Sequence, residues 1–259
     1  MNVTSPCRPA PVRRARIAVA TAAVTVAVAL VGAGCTASTL GDSRGGATGA
    51  APGSAGQSAG QPAPASAPQP GVSVAAASVS TARAQLTTLT IAEPRRGGYQ
   101  RTKDFGAAWS YDSDHDGCRQ RDDVLRRDMT KVKLKGRCTV LSGVLLDPYT
   151  GRTINFTRTD AAKVQIDHIY PLAAAWSHGA RTWPAKRRLE LANDLTNLLA
   201  ASGTANQQKS DSTPAEWQPR AAERCDYAVR YIRVAATYRL SISSADRQAL
   251  TSMLARCSK

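Results

Sequence analysis

Between residues 167 and 209 the chain sets an acid beside an imidazole and follows them with two carboxamides and an amine: Asp167-His168, then Asn197, then Asn206 and Lys209. A neutral imidazole accepts a proton near pH 7, and a neighbouring carboxylate can hold a metal ion. Alternating apolar residues in Lys163-Val164-Gln165-Ile166-Asp167-His168-Ile169 predict a strand that ends near the pair. Adjacent strand residues point to opposite sides. One of the pair can therefore face a metal while the other reaches a substrate only where the strand bends or stops, and Pro171 supplies that stop. The competing reading is structural: a His beside an Asp is commonly a hydrogen-bonded pair, and Asn residues cap helices and turns. His178 reads as a loop residue, and Trp176, Trp183 and Trp217 as core or rim aromatics.

A second constellation is acidic. Asp112-Ser113-Asp114-His115-Asp116-Gly117, with Asp123 at the twelfth position, follows the Asp-x-Asp-x-Asp-Gly spacing of calcium loops, although Asp replaces the usual bidentate Glu. The alternative is an acidic turn next to a disulfide, with Arg119 and Arg121 as counter-charge.

Several elements must position these residues. A short helix is predicted over 184–192, then a second apolar stretch over 193–201, then a polar loop and a helix carrying 203–211. Near the C-terminus two helices of similar length, 224–238 and 244–256, are joined by a short link, and Ser243 with Asp246 offers a capping box for the second. Setting aside Cys7 and Cys35 in the N-terminal segment, the domain keeps Cys118, Cys138, Cys225 and Cys257. An even number in an exported chain predicts disulfides, and no CxxC or Cys-His spacing suggests a zinc ribbon. If the two C-terminal helices run antiparallel, the start of one meets the end of the other. That pairs Cys225 with Cys257 and leaves Cys118 for Cys138.

The ordered motifs Asp167-His168-Ile169-x-Pro171-Leu172, Asn193-Asp194-Leu195-x-Asn197-Leu198 and Asn206-x-x-Lys209 resemble an HNH endonuclease. More narrowly the chain is similar to the GmrSD-type HNH family, from about Gly98 to the C-terminus, with Asp147-Pro148-Tyr149-Thr150-Gly151 and Pro214-Ala215-Glu216-Trp217 included. The resemblance implies a ββα-metal fold around one divalent cation. Asp167 would bind the metal, His168 would act as general base, and Asn206 would be the helix-borne ligand. Asn197 would brace the loop between the strands and orient His168, and Lys209 would contact a substrate phosphate. Many members carry a His where Asn206 stands. With oxygen donors only, the site suits Mg²⁺ or Mn²⁺ better than Zn²⁺.

The N-terminus reads as an export signal, because Arg8, Arg13, Arg14 and Arg16 precede an apolar run from Ile17 to Val31 that is short for a membrane span. It ends in Gly32-Ala33-Gly34-Cys35, which resembles a lipobox, so Cys35 is a lipidation candidate and residues 1–35 the signal. Residues 36–92 read as a tether, rich in Ala, Gly, Ser and Pro, with weak helical periodicity over 72–92. All four Trp, both Phe and all seven Tyr follow it, which places a single domain over 93–259. Removing the four signal arginines leaves thirty basic against nineteen acidic residues, +11, a balance that suits a polyanionic partner. The whole reads as an α+β domain with a ββα-metal active site, two disulfides and a C-terminal helical hairpin. Its expected function is metal-dependent hydrolysis of DNA, with RNA left open, by an exported protein that is lipid-anchored at the cell surface or secreted. The rival is a non-catalytic, surface-tethered lipoprotein that binds polyanions on an HNH scaffold. A pure binder has no need of a general base.

Overall fold

Two small antiparallel sheets and eight helices make up the part of the chain that the computed structural model describes, residues 76–109 and 111–257. The signal segment, Cys35 and the tether as far as residue 75 lie outside the described residues. Helices α1 (Ala76–Thr88), α2 (Arg101–Phe105) and α3 (Gln120–Asp128) precede a meander of β1 (Thr130–Lys135), β2 (Thr139–Leu146) and β3 (Thr153–Thr157). Strand β4 (Val164–His168) leads through α4 (Leu172–Ser177) and α5 (Ala185–Asn193) to β5 (Leu198–Ser202), which runs directly into α6 (Gly203–Lys209). Helices α7 (Arg224–Tyr238) and α8 (Ser244–Ala255) complete the chain. No helix among the described residues is long and apolar enough to cross a membrane.

Strands β4 and β5 pair antiparallel, with Asp167 opposite Leu199 and His168 opposite Leu198. Both faces of this pair are covered, which is why β5 is apolar at successive positions instead of alternating. Val164, Ile166, Leu198 and Ala200 pack with α3 and the meander, in a core with Val124, Leu125, Val140, Leu145 and Phe156. Leu199 and Ala201 face the larger core built by α4, α5, α7 and α8 around Tyr170, Tyr231, Ile232 and Leu250. Period-two alternation therefore sends Asp167 and His168 to different surroundings.

Helix α3 clamps β5 from the side. Arg127 donates to the carbonyls of Leu195 (2.6 Å) and Leu198 (2.7 Å), and buried Asp128 accepts from the Ala200 amide (2.8 Å). At the start of α8 the capping box forms, with Asp246 N–H on Ser243 Oγ (3.0 Å) and Ser243 N–H on Asp246 (3.3 Å). Both disulfides have the expected pairing, Cys118–Cys138 and Cys225–Cys257, with Cα atoms 5.3 and 5.2 Å apart.

The folded body reaches further upstream than Glu93. Helix α1 lies inside the stretch read as a tether, yet Val79, Ala82 and Leu86 bury themselves in the larger core. The Ile91–Ile242 bridge adds a backbone tie to the loop before α8. Ala and Thr dilute the apolar stripe of α1, so its amphipathic signal is faint although one face is buried.

Candidate active site

His168 is the last residue of β4, and its surroundings follow from that position. The final carbonyls of α5 have no intrahelical donor, and His168 Nε2–H donates to one of them, Ala192 O, at 2.9 Å. A carbonyl only accepts, so the proton of the neutral ring sits on Nε2 and Nδ1 carries a lone pair. Among the described residues Nδ1 has no hydrogen-bond partner. Burial, reinforced by the charges of Arg101 and Lys209 and opposed by the Ala192 bond, lowers the pKa of His168 to about 3. The ring is thus neutral at physiological pH. Trp109 lies parallel to it, 6.5 Å between centroids and 4° between planes, and adopts φ +61°, a left-handed conformation uncommon for a bulky side chain.

Fully buried Asn197 holds the strand exit. Its carbonyl accepts from Ile169 N–H (2.9 Å), its Oδ1 from Tyr170 N–H (2.8 Å), and its Nδ2 donates to Tyr170 O (3.3 Å). These three bonds fix the backbone immediately after His168. The Asn-bearing loop before β5 is thereby locked to the end of β4.

Asp167 points the other way, into a closed ionic cluster. Lys209, with no solvent exposure, places its ammonium 3.1 Å from Oδ1 and 3.0 Å from Oδ2, and also donates to His168 O at 2.9 Å. The Tyr149 hydroxyl donates to Asp167 Oδ2 as well. Burial raises the Asp167 pKa, while the Lys209 charge and the Tyr149 and Lys209 hydrogen bonds pull it back down. Burial and the adjacent carboxylate push the Tyr149 pKa far up, so the phenol keeps its proton and remains a donor. Tyr149 reaches this spot from the β2–β3 turn. There Asp147 accepts from Thr150 N–H (3.0 Å) and ties the turn to β5 through Ser202 N–H (2.9 Å). Gly151 adopts φ +67°, a left-handed conformation that favours glycine at this point of the turn, and any added Cβ would also displace the Arg220 guanidinium.

The five residues singled out in the sequence therefore gather around one β4–β5–α6 unit, but not on one centre. Lys209 cannot serve as a phosphate contact in this arrangement, because its ammonium is enclosed and spent on Asp167 and His168 O. Arg101, in α2, is with Lys209 one of the two positive side chains whose charges act on His168. Asn206 sits one helical turn before Lys209, partly exposed, and its Nδ2 donates to Gln165 Oε1 at 2.9 Å. As a seat for a divalent cation the arrangement does not fit. Both Asp167 oxygens are engaged, and the bidentate ammonium of Lys209 already supplies the positive charge. On the Asp167 side of the unit, a groove of about 710 Å³ is lined by Arg152, Lys163, Trp217 and Arg220 among others. His178 is buried and structural, its Nδ1 3.0 Å from Ser241 Oγ.

Tyr149, Trp109 and Arg101 were not selected from the sequence. Tyr149 lies within the Asp-Pro-Tyr-Thr-Gly segment, whose turn chemistry signals a loop but not where its aromatic side chain goes. Trp109 and Arg101 stand outside any motif.

The acidic loop folds as a tight turn before α3. Asp112 Oδ2 accepts from Gly117 N–H (2.8 Å) and Asp116 Oδ1 from Cys118 N–H (2.7 Å), with His115 and Gly117 at φ +56° and +77°. Arg121 is not the counter-charge: it donates to the carbonyls of Ala161 (3.3 Å) and Val164 (3.0 Å). Arg126 takes that part, 3.1 Å from Asp116 and 3.2 Å from Asp123. Burial, followed by the charges of Asp116 and Asp114, pushes the Asp123 pKa to about 6.

The family model for the C-terminal domain of GmrSD restriction endonucleases matches residues 119–253, from the residue before α3 into α8. An uncharacterized secreted protein of Arthroderma benhamiae is 40% identical over 184 residues, covering 70% of this chain and 86% of the relative. A match over the two strands, α6 and both C-terminal helices, together with a relative of that identity and coverage, establishes the relationship: the chain belongs to the family of GmrSD restriction endonuclease C-terminal domains.

Proposed function

We propose that this protein is a nuclease that hydrolyses phosphodiester bonds of DNA outside the cytoplasm, with His168 as general base. The observation that carries the reading is the His168 ring. It is anchored by Nε2, held neutral, and left with an unclaimed Nδ1 lone pair at the end of β4. Water loses a proton to Nδ1, its oxygen bonds to phosphorus, and the bond from phosphorus to the leaving sugar oxygen breaks. That oxygen regains a proton from solvent. An anionic phosphate beside the ring raises its basicity on binding, which offsets the depressed pKa of the free protein. Arg101 is the nearby cation suited to attract that phosphate. Asn197 is a positioning residue that holds the backbone carrying the base.

A divalent cation enters this proposal through the family resemblance alone. Such an ion would neutralise charge on the phosphoryl group, but the donors the resemblance assigns to it are engaged elsewhere, Asp167 by Lys209 and Tyr149 and Asn206 by Gln165. Because Lys209 and Tyr149 engage Asp167, no step above runs through the ion. Export rests on the N-terminal signal pattern, the two disulfides and the secreted relative.

Plasmid cleavage by the purified protein tests the reading. Nicked and linear products are expected, lost in EDTA and restored better by Mg²⁺ or Mn²⁺ than by Zn²⁺, with EGTA separating any calcium effect. Retained DNA binding without cleavage under every ion would favour the polyanion-binding rival. The pH profile supplies a second check. A folded-state pKa of about 3 keeps the base form of His168 present throughout the neutral and mildly acid range. Since kcat/KM reports the free enzyme, it should show no loss through pH 6.5 and should fall only as pH drops below about 5. A half-maximal point at pH 6–7 would show an unperturbed imidazole and contradict the described environment.

A further inference from the structure

We infer that the loop from Asp112 to Asp123 is a calcium site that fastens α3, and through it β5, to the rest of the domain. Spacing alone would not carry this; the unpaired oxygens do. Among the described residues, buried side-chain atoms without a hydrogen-bond partner include Asp112 Oδ1, Gln120 Oε1 and Asp123 Oδ2. Gln120 has no solvent exposure and Asp123 only 6%. A carboxamide oxygen and a carboxylate can only accept, so burying them without a donor is unfavourable unless a cation serves them. Numbered from Asp112, these three oxygens fall at positions one, nine and twelve of a twelve-residue loop, all positions that feed the ion in calcium loops. Asp114 and Asp116 occupy positions three and five, Gly117 position six, and the Cys118 carbonyl position seven.

Asp116 joins two neighbouring groups of ligand atoms. Ligand oxygens of Asp112, Asp114 and Asp116 lie within 4.8 Å of one another, as do those of Asp116 and Asp123. Asp112 gives one oxygen to Gly117 N–H and Asp123 one to Arg126, and each keeps a second oxygen without a hydrogen-bond donor, whereas Asp116 gives one oxygen to Cys118 N–H and the other to Arg126. The Gln120 carboxamide is held over the loop by its Nε2 bond to Ser113 Oγ at 2.6 Å. Arg126 pairs with Asp116 and Asp123 and the Arg137 guanidinium lies beside Gly117, two cations against the loop's four carboxylates, while Arg121 is turned away to backbone carbonyls and Arg158 is engaged by Asp122. An all-oxygen set of this number suits the larger, more adaptable Ca²⁺ better than Mg²⁺, which demands a tight octahedron. The Cys118–Cys138 bridge ties the loop to the start of β2, and the Arg127 and Asp128 contacts carry its order to β5.

The test is binding and thermal unfolding of the protein after EGTA treatment. For affinities typical of extracellular calcium modules, about 10⁻⁴–10⁻³ M, 10 mM Ca²⁺ should raise Tm by roughly 4–10 °C, and equal Mg²⁺ by much less. Tb³⁺ should give luminescence sensitised by Tyr111, which lies 6.1 Å from His115 in the loop. Asp114→Asn, at an exposed position, and Asp123→Asn should weaken Ca²⁺ binding tenfold or more, whereas Asn206→Ala should keep the full response. An unchanged Tm in Ca²⁺, or an undiminished response in Asp114→Asn, would overturn the assignment.

Discussion

His168→Ala is expected to lower the cleavage rate by about 10²–10⁴-fold while the protein still folds and binds DNA, because the ring's proposed task is to take a proton in the reaction. The substitution also removes the donor to Ala192 O at the end of α5, which costs about 1–3 kcal/mol of stability. A Tm decrease alone would therefore not distinguish a catalytic from a purely structural His. His168→Gln makes that distinction. Its carboxamide can donate to the same carbonyl but cannot act as the base. Stability should recover towards wild type in His168→Gln, while activity stays as low as in the Ala variant. Rates, melting temperatures and DNA affinities of the two variants, measured side by side, decide the matter. Wild-type cleavage by a folded His168→Gln protein would remove His168 from the mechanism.

Lys209→Met should destabilise the fold by about 3–5 kcal/mol, since it strands the Asp167 carboxylate in a site that excludes water. For a domain of this size that corresponds to a fall in Tm of roughly 6–20 °C. Tyr149 can donate one hydrogen bond to Asp167 but brings no positive charge. Adding Asp167→Asn to Lys209→Met should recover part of the loss, because a neutral carboxamide does not need the ammonium. Urea unfolding of the single and double variants measures the coupling between the two residues. A cost below 1 kcal/mol for Lys209→Met would mean that Lys209 is not held by Asp167, and would reopen its assignment as a phosphate contact.

Much of the frame was legible in residue order because local chemistry determines it. The alternation in Val164–His168 marks a strand, the spacing in 224–238 and 244–256 marks two helices, of which the second ends one residue earlier at Ala255, and Ser243 with Asp246 marks where it begins. An antiparallel turn between those helices leaves Cys225 one feasible partner, Cys257, and the remaining pair follows. The motif order likewise identified the unit that carries His168, Asn197 and Asn206. Helix α1 was read less well, because its buried Val79, Ala82 and Leu86 are scattered among small and polar residues. What the tertiary structure decided is which partner each side chain meets. Asp167 and Lys209 look from the sequence like a metal ligand and a phosphate contact. They become a buried ion pair only because α6 packs on the β4 face that carries Gln165 and Asp167, with Tyr149 arriving from the β2–β3 turn. His168, one residue on, escapes that fate because a strand turns successive side chains to opposite faces. The residues and their order thus determined the chemistry at hand. Which groups neutralise one another and which stay available for reaction was settled by long-range packing, since charge pairing and burial depend on neighbours that sequence separation does not reveal.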